Sequence, residues 1–77
     1  MAIDQNMADE LNALTHYNLD SMQIGIKVHH DANPTMISAI QRLHEKGLVT
    51  QVDGGYLTPC GMEAAQHAHQ LISALKP

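Results

Sequence analysis

Aromatic side chains are nearly missing from this chain, which has two Tyr, no Trp and no Phe among 77 residues. Proteins that hold single-stranded nucleic acid stack bases on aromatic platforms, and two tyrosines do not build one. Basic residues are scarce as well. Four Lys and Arg stand against eight Asp and Glu, a formal net charge of −4 with His neutral. A duplex-DNA binder draws most of its affinity from phosphates neutralised by clustered cations, and pairing two copies doubles both signs without removing the deficit. Protonating all six His would move the charge by six units, to +2. With ordinary imidazole pKa values of about 6.5, that happens only in acid. Cys60 is the sole cysteine, so there is no disulfide framework, which suits a reducing cytoplasm. No apolar run approaches the ~20 residues that span a bilayer. The polar, acidic start Ala2-Ile3-Asp4-Gln5-Asn6 lacks the basic and apolar regions of a signal peptide. These absences predict a cytoplasmic protein with no membrane partner.

Catalytic signatures are absent too. The chain has no G-x-S-x-G, no phosphate-cradling glycine loop ahead of a helix and no zincin motif. Asp9 and Glu10 are adjacent on a predicted helix, so their side chains diverge. We expect no enzyme activity and no cofactor. A single domain of this length buries only about 60% of its unfolded surface, and dimerisation is the simplest way to reinforce so small a core.

What is present is a run of helix and turn signals. Helix 1 is expected over about 7–18, with Asn6 as N-cap, Asp9 and Glu10 near the positive end of the dipole, and Met7, Leu11, Leu14 and Tyr17 as its apolar stripe. Residues 21–28 carry two patterns. Ile24, Ile26 and Val28 alternate with Gly25, Lys27 and His29 as in a strand, whereas Asp20-Ser21 resembles an N-cap and Met22, Ile24 and Val28 can share a helical face. We expect a second helix there, with Gly25 where two helices cross closely. Helix 3 runs over about 34–46, capped by Asn33 and opened by Pro34. Met36, Ile37, Ile40 and Leu43 face inward and His44 lies on the border.

The stretch from Leu43 to Gly61 is the most informative. Gly47 follows Lys46 as glycine follows a helix at its left-handed C-terminal position. Asp53-Gly54-Gly55 supplies a tight hairpin turn, with strands near 48–52 and 56–58 and Tyr56 covering the core. Thr58-Pro59 is an N-cap followed by a first-turn proline, opening helix 4 over about 59–75. On that helix Ala64, Ala68, Leu71 and Leu75 form a heptad-like seam, while Met62, Ala65, Ile72 and Leu75 form a second stripe. One stripe would face the domain and the other a second copy, so Ala64, Ala68, Leu71 and Leu75 are the candidate homodimer interface.

Arg42-Leu43-His44-Glu45-Lys46-Gly47-Leu48-Val49 and Leu57-Thr58-Pro59-Cys60-Gly61 resemble the motifs R-L-x-x-K-G-L-[VI] and L-T-x-x-G. Those motifs belong to winged helix-turn-helix domains of bacterial transcriptional regulators of the multiple-antibiotic-resistance-repressor type, and the resemblance spans Leu19 to Gly61. The whole chain is also similar to a family of short gammaproteobacterial proteins of unknown function, some of them described as DNA-binding. The fold this implies is mostly α (α+β): a winged helix-turn-helix with a three-helix core, a two-stranded wing at 48–58 and a C-terminal helix. It implies a DNA-binding, transcription-associated regulator with helix 3 in the major groove. The residues carried over as contacts to duplex DNA are Thr35, Ser38, Gln41, Arg42 and Lys46. The acidic balance, Asp53 at the wing tip and Glu45 on helix 3 favour the alternative, an adaptor that uses the same fold to bind protein.

The remaining chemistry-bearing residues have ordinary readings beside the functional ones. Arg42 and Lys46, one turn apart, equally suit a solvated helix end with cations near the negative pole of the dipole. His29-His30-Asp31 offers ligand types without convergence, and His67 and His69 point apart on their helix, so no metal site is predicted. A pH-responsive surface is another use for so many His. Cys60 in the first turn of helix 4 suits either an activated thiolate or a small apolar packing group.

Overall fold

The computed structural model describes residues 3–17, 19, 25–29 and 31–77. Among these the chain runs α1 (Gln5–Thr15), β1 (Ile26–Lys27), α2 (Pro34–Glu45), β2 (Val49–Gln51), β3 (Gly54–Leu57) and α3 (Pro59–Leu75). The architecture is a small α+β fold of three helices and one antiparallel three-stranded sheet in the order β1-β3-β2.

Helix α1 starts earlier than its sequence pattern suggests. Asp4, not Asn6, is the N-cap, its side chain accepting from the Met7 N–H at 2.8 Å. Asp9 and Glu10 therefore belong to the second turn, away from the exposed N–H groups at the helix start. The helix also stops at Thr15, short of the expected residue 18. Tyr17 still reaches the core from just beyond it, at 2% exposure.

The helix expected over 21–28 is corrected where it is described. Residues 21–24 lie outside the described residues, whereas Ile26–Lys27 is a strand, pairing Ile26 with Gly55 and Lys27 with Gly54. The period-two pattern prevails: Ile26 and Val28 are half-buried while Gly25, Lys27 and His29 are exposed. The Val28 N–H donates to the Asp53 carbonyl at 2.8 Å, extending the contact with the hairpin. Gly25 does serve a close approach, but to β3 and not to a helix, since a Cβ there would stand 2.8 Å from the Gly55 carbonyl oxygen.

Helix α2 and the hairpin follow their sequence signals closely. Asn33 caps α2 through the Thr35 N–H at 2.8 Å, Pro34 is its first residue, and Lys46 is the C-cap. Gly47 follows with φ 77°. The turn itself is shorter than expected. Val52 and Asp53 reverse the chain, and Gly54-Gly55 already belongs to β3. Gly54 has φ 121°, a backbone conformation L side chains rarely adopt, and a side chain there would run into the Ile26 carbonyl. An irregularity between Val49 and Gln51 shifts the β2–β3 register, as a bulge does. Tyr56 does not cover the core; it is 45% exposed.

Helix α1 packs against both α2 and α3. The core is assembled from Ala13, Leu14 and Tyr17, from Ala39, Ile40 and Leu43, from Val49 and Leu57, and from Ala65 and Ala68. The fully buried alanines Ala13 and Ala39 keep side-chain bulk small where those helices meet the rest of the core. Thr58 joins the end of α2 to the start of α3. Its hydroxyl donates to the Gly47 carbonyl at 2.6 Å and accepts from the Gly61 N–H at 3.0 Å, while its own N–H donates to the Leu48 carbonyl.

Candidate functional site

Met7, Glu10, Leu14 and Tyr17 are spaced three, four and three, so a carboxylate falls within the apolar stripe of α1. The structure buries it. Glu10 is 7% exposed, and both of its oxygens are occupied by cations from α2. Arg42 donates from Nε to Glu10 Oε2 at 3.2 Å and from its terminal nitrogen to the Asn6 carbonyl at 3.4 Å. Lys46, one turn further along α2, donates from Nζ to Glu10 Oε1. The Arg42 side chain is 26% exposed and that of Lys46 54%. One buried carboxylate thus clasps two cations that the sequence reading placed on a free face.

At 100° per residue the outermost strip of α2 is Pro34, Ser38, Gln41 and Glu45, all exposed. That strip has no cation and one carboxylate. Thr35, Ser38 and Arg42 border a groove shared with Asn6 and Asp9 of α1. Lys46 instead borders a different, apolar groove beside Leu11, Leu43 and Leu71. At the same spacing Thr35, Arg42 and Lys46 lie within about 40° of one another and Ser38 and Gln41 lie on the outer strip, so the five share one broad face of about 140°, with its two cations at the edge where α1 contributes Glu10. The other two basic residues stand apart from them, Lys27 on β1 and Lys76 as the C-cap of α3.

The expected dimer seam divides in the same way. Ala68 is 2% exposed and belongs to the chain's own core, and Ala64 packs against that core. Ala68 is corrected from interface to core, because a side chain buried to that degree offers a second copy no surface. Leu71 and Leu75 remain outside, at 45% and 74% exposure.

The hydroxyl of Tyr17 is buried and has no hydrogen-bond partner among the described residues. It lies under the hairpin, 3.4 Å from where a Cβ on Gly54 would stand. Burial, with the negative charge of Asp53 as a smaller cause, pushes its pKa up to about 12. A cleft of about 470 Å³ opens between α1, β1 and α2, floored by Ile26, Val28, Met36 and Ile40, with His16 and His29 also lining it. Among the described residues no group of three or more His, Cys, Asp or Glu is placed to hold a metal ion; His30 lies outside those residues. Cys60 is exposed in the first turn of α3, which removes the buried-packing reading of its thiol.

Neither the Glu10 clasp nor the Tyr17 hydroxyl is part of the sequence-derived site. The one signal for Glu10 was its position inside the apolar stripe. These features define a small α+β domain organised around a buried carboxylate and its two cations. The chain belongs to the family of unknown function DUF5669, whose pattern matches residues 1–76. No curated protein and no solved structure matches it. No helix among the described residues is long and apolar enough to cross a membrane.

Proposed function

We propose that this chain is a non-enzymatic recognition module of winged-helix type that binds protein in preference to duplex DNA. The observation that carries this reading is the Glu10 clasp. A DNA-binding helix needs free cations to displace counterions from phosphate, and here the two basic residues of α2 are held by one carboxylate. The hairpin tip adds Val52 and Asp53 in place of a cation. The run of α2, hairpin and α3 supports the winged-helix relationship, with β1 adding a third strand to the wing.

Fluorescence anisotropy with a labelled duplex of mixed sequence tests the preference. The wild-type chain should show no binding at physiological salt and near-neutral pH. Glu10→Gln, which frees Arg42 and Lys46, should bind the same duplex several-fold more tightly than wild type at low salt. Submicromolar binding by the wild-type chain at physiological salt would overturn the protein-binding reading. Binding confined to pH below about 6 would reflect attraction to protonated His.

The duplex-DNA reading retains one specific support. Thr35, Ser38 and Gln41 are exposed on the helix that leads into the hairpin, the position from which a winged helix reads the major groove. Under that reading Arg42→Ala and Lys46→Ala should each weaken binding and flatten its salt dependence. No change in either would remove both residues from a DNA interface.

A further inference from the structure

The cleft between α1, β1 and α2, about 470 Å³, lies in the size range of ligand sites, roughly 300–1,000 Å³. Its floor is aliphatic, and a second, polar groove between α1 and α2 adjoins it. His16 and Met36 line both, so the two run into one another as a single channel.

Charge is unevenly placed around that channel. Asp31 borders the cleft and Asp9 the adjoining groove. Among the described residues the ion pairs are those of Glu10 with Arg42 and Lys46, so no cation neutralises either aspartate. Asp9 accepts a hydrogen bond from the Gln5 amide at 2.9 Å, and that neutral donor leaves its charge in place. Lys27 also borders the cleft, but it stands between Ile26 and Val28, and strand alternation sends its side chain to the opposite face of the sheet. There it borders the groove of Gln51 and Tyr56. Arg42, farther along α2, is held by Glu10. With His neutral, the open charges of the channel are therefore both negative, and they accompany an aliphatic floor.

An apolar cleft flanked by carboxylates fits a partner of the reverse character, an aliphatic anchor set among cations. Building on the protein-binding reading above, we propose that the channel receives a short basic segment of a partner protein. One aliphatic side chain of that segment sits over Ile26, Val28 and Met36, and its neighbouring Lys or Arg residues meet Asp9 and Asp31. The same two carboxylates repel a phosphate backbone.

Fluorescence anisotropy with the labelled peptide Gly-Lys-Arg-Gly-Leu-Gly-Arg-Lys-Gly tests it, at low salt and near-neutral pH. The wild-type chain should bind this peptide saturably. Exchanging the peptide's Leu for Ser, or its Lys and Arg for Glu, should each abolish saturation below about 1 mM. Asp9→Asn and Asp31→Asn should each weaken binding about two- to fivefold, the range of exposed ion pairs. Glu63→Gln makes the same charge change on α3, outside the channel, and should leave binding unaltered. Asp9→Lys/Asp31→Lys should prefer the Glu peptide to the basic one. Its four added units of charge bring the chain to formal neutrality, so net charge cannot produce that reversal. All these positions lie outside the core, and unchanged helical circular dichroism checks that the variants fold. Equal weakening by Glu63→Gln, binding that does not need the Leu, or no saturable wild-type binding below about 1 mM would overturn the proposal. Such a failure without duplex binding leaves the protein-binding reading standing, whereas tight duplex binding would overturn that reading whatever the peptide does.

Discussion

Replacing Glu10 by Gln keeps the shape of the side chain and removes the charge on which two helices converge. The Arg42 bond is charge-assisted and partly shielded, with 26% of the Arg42 side chain and 9% of the Glu10 side chain exposed. Such bonds contribute about 1.5–3 kcal/mol, and the exposed part of Arg42 places this one near the lower end. Lys46 is 54% exposed, so its share falls to about 0.5 kcal/mol or less. Glu10→Gln should therefore lower unfolding stability by about 2 kcal/mol. For a domain of this size that is a fall in Tm of roughly 8–16 °C. Urea denaturation of wild type, Glu10→Gln, Arg42→Gln and the double variant would give the coupling directly. The Arg42 coupling should survive high salt, while the matching Lys46 coupling should fade as screening shortens to a few ångströms. A loss below about 0.5 kcal/mol for Glu10→Gln, or no coupling to Arg42, would refute the inference that this carboxylate holds α1 to α2.

Two further outcomes test other parts of the fold. Thr58→Ala removes the cap of α3 and the hydroxyl bonded to the Gly47 carbonyl at 2.6 Å; it should cost about 1–2 kcal/mol in urea denaturation, and a change within 0.5 kcal/mol would mean α3 needs no cap. Tyr17 keeps its proton up to about 12 in the folded chain and releases it near 10 when unfolded, so the unfolded state binds fewer protons between those values. Stability should hold constant below pH 10 and fall by about 2–3 kcal/mol as pH rises to 12. Tyr17→Phe should abolish that fall and leave neutral-pH stability unchanged or slightly higher, since it deletes a buried hydroxyl that has no partner among the described residues. Tyrosinate absorbance followed alongside denaturation checks both points, and an alkaline loss that persists in Tyr17→Phe would assign it elsewhere.

Local signals were legible in the sequence, and long-range ones were not. Asn33-Pro34, Lys46-Gly47 and Thr58-Pro59 each act within one turn of backbone, and α2, the hairpin and α3 begin and end within a residue or two of the positions they mark. Where two local patterns competed, the outcome depended on a partner far along the chain. Residues 26–28 favour a strand because β3 offers them an edge, and no helix propensity near Asp20 carries that information. Tyr56 was misplaced because the register shift near residue 50 changes which residues of β3 face inward.

The site was obscured for the same reason, and this bears on function. Arg42 and Lys46 sit i and i+4 on an exposed-looking face, which is how phosphate contacts and solvated helix ends both appear in a sequence. Only the crossing of α1 over α2 brings Glu10, 32 residues earlier than Arg42, against them. Once a buried carboxylate has two cations as neighbours, the charge cost of moving either cation onto a phosphate includes leaving Glu10 without a partner in a poorly solvated position. DNA would have to repay that cost before gaining any affinity, whereas a protein partner meeting the outer strip of Ser38, Gln41 and Glu45 would leave the clasp intact. The acidic composition and the buried Glu10 thus argue in the same direction through different physics, one through the total charge and the other through its placement.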